Sequence, residues 1–145
     1  MTTALLTRNT SRRVVIELLV VVLLVGLPVD FPRGVASGTA WSFLFRHPSV
    51  LAHAALGTLL LGEGVLFLVR AAGAGGRRPA LTAALGLAGI VAAVASGVAY
   101  VTRRQPDDAL TGMTAGWLVA LVVFVAGWIG GRRALRAGRT PVDVR

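Results

Sequence analysis

The sequence predicts an all-α integral membrane protein, a four-helix transmembrane bundle of up-and-down topology with both termini on the cytoplasmic side. Three observations predict it. Of the 145 residues, 55% are hydrophobic and only 14% are charged, against about 25% charged in a typical soluble domain, so charge cannot cover a water-facing surface. The apolar residues fall in long runs of the length a helix needs to cross a hydrocarbon core. All 15 basic residues are arginines, and they cluster at the ends of those runs.

The first run goes from Val14 to Val29, interrupted by Glu17 and ended by Pro28, Asp30 and Pro32. At about 1.5 Å per residue it reaches roughly 24 Å, so it spans only if Arg12 and Arg13 snorkel at one end. The second run, Ser49 to Val69, carries His53 and Glu63 and closes on Arg70. The third, Ala80 to Val101, and the fourth, Leu110 to Gly131, hold no charged residue. Each of these three has the roughly 20 residues a membrane helix requires. One membrane domain over residues 1–145 is expected.

Charge orients the spans. The N-terminal segment, the link from Arg70 to Pro79 and the C-terminal tail hold eleven arginines, whereas the opposite side holds four: Arg33, Arg46, Arg103 and Arg104. Asp107 and Asp108 offset the last two. The positive-inside rule then puts both termini in the cytoplasm and the chain in the plasma or inner membrane. Heavy use of Ala, Gly, Val, Leu and Arg without Lys is what GC-rich codons produce and points to a bacterial source.

The same distribution sets the partners. The arginines meet lipid phosphates at the ends of apolar runs and build no basic face, so the bilayer and not nucleic acid is the expected partner. A second membrane protein or a second copy of the chain is the other expected neighbour. Cysteine is absent, which removes disulfides, thiolate metal sites and thiol nucleophiles together.

Links and ends carry their own signals. Gly73, Gly75 and Gly76 mark a turn, Pro106 interrupts the last link, and Asp108 is placed to cap the fourth span. The segment from Asp30 to Pro48 carries Trp41, Phe43 and Phe45 ahead of Arg46, as an interfacial stretch does. Arg8, Arg12 and Arg13 before an apolar run, with Val35, Ala36 and Ser37 after it, also fit a cleavable signal segment. Ser11, Arg12 and Arg13 echo a twin-arginine leader. An uncleaved anchor accounts for the charge pattern equally well and is the expectation adopted.

Membrane helices associate through close approach at small residues. Gly89, Ala93 and Gly97 on the third span and Gly112, Gly116 and Ala120 on the fourth recur every fourth residue, suited to a monomer's interior or to a dimer interface. On the second span His53, Gly57, Leu60 and Gly64 share a face, so His53 is expected to face protein. No inverted repeat is visible.

Ionisable groups within a span are functional candidates, and Glu17, His53 and Glu63 qualify. Glu17 lies one turn from Arg13, with which an i to i+4 pair would satisfy it. Glu63 sits about 10 Å inside its helix from Arg70, too far for direct pairing, and needs a partner from another helix. It is the proton or cation candidate, with Glu17 the lesser one. His53 is a candidate ligand for a b-type haem, and Met113 is the thioether at comparable depth. His47 is rotated away from His53 and cannot join it on one metal ion.

The stretch from His47 to Arg70, with its His-Pro start and Leu-Gly-Glu-Gly before an arginine, resembles the second helix of b561-type cytochromes. That family spreads histidine ligands for two haems over several helices. The third and fourth spans here contain no histidine, so the resemblance implies at most a single-haem site. A phosphate loop, a nucleophile elbow and an HExxH helix are all missing from the sequence.

Three functions are consistent with these residues. The leading expectation is an accessory or structural subunit of a membrane complex, without catalytic chemistry of its own. The alternative is a redox protein holding one b-type haem or a quinone through His53. The third is a small proton- or cation-coupled transporter using Glu63.

Overall fold

A computed structural model of the chain describes residues 3–25, 42, 43, 45–103 and 107–137. Among them the regular structure is helical throughout. The long helices are α1 (Thr3–Val25), α2 (Pro48–Gly73), α3 (Arg77–Thr102) and α4 (Asp107–Ala137). Three of them, α2, α3 and α4, are long and apolar enough to cross a membrane. Helix α1 carries Arg8, Arg12, Arg13 and Glu17 along its length. The leader-type residues Val35, Ala36 and Ser37, Trp41, and the end of the expected first span, 26–29, lie outside the described residues.

The helices are longer than the apolar runs. Helix α1 begins at Thr3 and not at Val14, and α4 continues past Gly131 to Ala137. Tertiary packing accounts for both extensions. A Cβ added to Gly131 would stand 2.9 Å from the Arg8 backbone nitrogen and 3.1 Å from the Ala4 carbonyl oxygen. The polar first turns of α1 therefore lie on the last turns of α4, and each supports the other. Within α1, the Thr7 hydroxyl donates to the Thr3 carbonyl at 2.8 Å.

Each helix packs on two neighbours: α1 on α2 and α4, α3 on α2 and α4. The close approaches fix antiparallel order around this ring. Gly131 meets Arg8 and Gly127 meets Ser11, while Gly89 meets Gly116 and Ala120, and Gly64 meets Leu87 and Ile90. Short links enforce it. Residues 74–76 join α2 to α3, with Gly75 at φ 67°, the left-handed conformation that a glycine adopts without a Cβ penalty. At the start of α4, Asp108 lies inside the first turn and its Oδ1 accepts from the Ala109 amide at 2.9 Å. It thus serves the helix from its second residue, two positions past the cap position expected of it, still at the positive dipole end.

In the interior Phe67, Gly86 and Phe124 come together, with Phe67 and Phe124 at 1% and 0% exposure and their ring centroids 6.3 Å apart. These two rings meet across the diagonal between α2 and α4 and fill the axis. A Cβ on Gly86 would run into the Phe124 ring, so the absence of a side chain there makes room for the aromatic. Val14, Leu18, Leu60, Ile90 and Ala120 are buried in the same core.

The small-residue series face each other within the chain. A Cβ on Gly89 would lie 2.8 Å from both the Ala120 nitrogen and the Gly116 carbonyl oxygen. Gly112 opposes Ser96, and Gly97 opposes Met113. Of the two uses open to these grooves, the structure takes the interior seam between α3 and α4.

Candidate functional site

Three ionisable residues, Arg13 and Glu17 on α1 and Glu63 on α2, meet between those two helices. Glu63, on the turn of α2 before Phe67, keeps only 15% of its side chain exposed, and Glu17 on α1 keeps 20%. Arg13, 68% exposed, lies between them and the arginine-rich end. Its Nη2 stands 2.5 Å from Glu63 Oε1 and 4.0 Å from Glu17 Oε1. The first is a charge-assisted hydrogen bond and the second is at the limit of an ion pair.

Geometry explains the preference. On one helix, an i to i+4 pair must bend both side chains along the surface, and α1 offers Glu17 only that approach. Packing of α1 on α2 brings Glu63 alongside Arg13, so the guanidinium reaches that acid across the interface. The interhelical partner Glu63 requires is therefore the arginine expected for Glu17. Length of side chain and antiparallel order were the available signals, but the rotation of α1 against α2 is not written in either run.

Two carboxylates share one guanidinium, and the Oε2 atoms of both Glu17 and Glu63 are buried without a hydrogen-bond partner. If both acids are ionised the trio carries one surplus negative charge. A proton or a small cation is what such an arrangement accepts.

The other candidates stand apart. His53 lies half-buried on the α2 face that carries Gly57, Leu60 and Gly64, and its Nδ1 is buried without a partner. A Cβ on Gly97 would stand 3.5 Å from Met113 Sδ, which puts the thioether at the α3–α4 seam. His53 and Met113 thus sit on diagonally placed helices. His47 is the cap residue before α2, and its ring meets that of Phe43 at 4.4 Å between centroids with the planes tilted by 42°. Among the described residues no group of three or more His, Asp or Glu is placed to hold a metal ion.

Two interior features had no expectation attached to them. Ser11 is fully buried with an unpartnered Oγ, 2.9 Å from where a Gly127 Cβ would be. The Phe67–Phe124 contact closes the bundle axis. Both rings lie in apolar runs whose periodicity is hidden because lipid-facing positions are as apolar as buried ones. No known protein family, curated protein or solved structure is detectably similar to this chain.

Proposed function

We propose that the chain is a four-span membrane protein with both termini cytoplasmic, acting as an accessory or structural subunit of a membrane complex. The observation that carries this reading is the filled axis: Phe67 and Phe124 meet in the buried interior of the bundle, with Gly86 against the Phe124 ring. A wide permeation path has no room there. Helix α1 crosses as the fourth span, its Arg13 charge neutralised by Glu63 and its other arginines at the headgroups.

The orientation is supported by where the helix ends fall. The start of α1, the end of α2, the start of α3 and the end of α4 share one end of the bundle. Arg8, Arg12, Arg70, Arg77, Arg78, Arg132, Arg133 and Arg136 belong to it, with only Arg46 and Arg103 described at the other. The positive-inside rule makes the arginine-rich end cytoplasmic. Reporter fusions after residue 13 and at the C-terminus are expected to read internal, and an external reading after residue 13 overturns the four-span topology. Mild-detergent extraction and native gels are expected to find the chain in an assembly of more than one protein species. A homogeneous monomer under those conditions sinks the subunit reading.

The unpartnered Oε2 atoms of Glu17 and Glu63 favour a second reading, a small proton- or cation-coupled transporter. Flux through proteoliposomes of the purified chain, lost on Glu63→Gln, supports it. Flux unchanged by that substitution removes Glu63 from the mechanism.

A further inference from the structure

Beside the shared arginine, α1 and α2 part to leave a cleft of about 160 Å³ lined by Asn9, Thr10, Arg13, Glu63, Leu66, Phe67 and Arg70. We propose that this cleft binds the phosphate group of an anionic phospholipid. The inference depends on the membrane reading above but not on the subunit or transporter role.

The lining is rich in free donors. Glu63 is its one carboxylate and Arg13 engages it through Nη2, while Arg70 adds a second guanidinium, so the lining itself carries a surplus positive charge although Glu17 lies beyond it. No ion pair holds Arg70 among the described residues. Arg8 Nε donates to Asn9 Oδ1 at 3.0 Å, which orients the Asn9 amide and leaves its NH₂ to donate elsewhere. Thr7, Thr58, Thr82, Thr102, Thr111 and Thr114 all turn their hydroxyls back to the carbonyl four residues earlier. Thr10 makes no such bond among the described residues, so its hydroxyl is available to the cleft.

Two guanidiniums, an amide NH₂ and a hydroxyl around one opening match an oxyanion with several acceptor oxygens. Size and position narrow the class. The volume is well below the roughly 300–1,000 Å³ of sites for drug-sized ligands, yet it admits a phosphodiester. The floor is apolar: Phe67 is buried, and Leu66 is 47% exposed on the lipid-facing side. A free phosphate has no use for the exposed Leu66 side chain, whereas a lipid lays the start of an acyl chain on it. Basic pockets between helices at the cytoplasmic side hold anionic headgroups in this way.

The test uses the full chain in detergent, titrated with phosphatidylglycerol, with phosphatidylcholine, and with inorganic phosphate, and read by native mass spectrometry. Phosphatidylglycerol is expected to bind in preference to phosphatidylcholine, with Arg70→Gln weakening it about tenfold through loss of a charge-assisted hydrogen bond. Thr10→Val is expected to weaken it less, and Arg132→Gln, outside the cleft, to leave it unchanged. Equal loss from Arg132→Gln and Arg70→Gln overturns the site, because the attraction is then diffuse charge. Retention of inorganic phosphate with no preference between the two lipids overturns the lipid assignment. Matching thermal melts of the variants before titration separate loss of binding from loss of fold.

Discussion

The indole Nε1 of Trp117 donates a hydrogen bond to the Leu18 carbonyl oxygen at 3.0 Å, joining α4 to α1 across 99 residues of sequence. A helical carbonyl has a second lone pair, so Leu18 accepts the indole without giving up its bond within α1. Trp117→Phe keeps most of the apolar area and deletes the donor. We expect a loss of about 1 kcal/mol or less, the range for interhelical hydrogen bonds in membranes. Reversible unfolding in mixed micelles measures it, and a Trp117→Phe protein as stable as the parent removes the bond from the account.

The α3–α4 seam predicts a contrast between glycines. A Cβ at Gly89 meets backbone atoms of α4 at 2.8 Å, whereas one at Gly130 meets nothing within 4 Å. Gly89→Ala therefore forces the helices apart at a cost of about 1–3 kcal/mol. Gly130→Ala is expected to be neutral or to stabilise by up to about 1 kcal/mol through helix propensity. The same unfolding assay ranks them; equal effects would contradict the seam.

The Arg13–Glu63 pair lends itself to a double-mutant cycle with Arg13→Gln and Glu63→Gln. Its guanidinium is mostly exposed while its carboxylate is mostly covered, so a coupling of about 1 kcal/mol is expected, near the top of the exposed-pair range. The cycle between Arg13 and Glu17, whose atoms are 4.0 Å apart, should give less. A larger coupling to Glu17 would mean that the intrahelical pair holds the arginine.

Because the chain lacks cysteine, one engineered pair can report the packing of α1 on α4. The Ser11 Cβ and an added Gly127 Cβ are 3.7 Å apart, within the roughly 3.5–4.5 Å of a disulfide. Ser11→Cys with Gly127→Cys should cross-link on mild oxidation and shift in mobility on a non-reducing gel. Ser11→Cys with Gly130→Cys, where the glycine points away from protein, should not. Cross-linking of both pairs alike would argue against this register.

The subunit reading expects no Soret band from protein purified after expression with adequate haem. A Soret band that disappears in His53→Ala would instead establish His53 as a ligand and replace that reading with the redox one.

Composition, run lengths and arginine placement were enough by themselves to make the helical character and three apolar helices legible. Solvation explains why, since only a helix can carry about 20 apolar residues through lipid with its backbone bonded. The short links made the antiparallel order legible too. Which glycines meet which was not, because lipid and protein interior are equally apolar and the faces of α3 and α4 look alike in sequence. Tertiary structure alone extended α1 back to Thr3 along α4, turned Phe67 and Phe124 onto the axis, and gave Arg13 chiefly to Glu63. Each depends on the rotation of one helix against another, a quantity set by the sum of close contacts and not by any single run of residues.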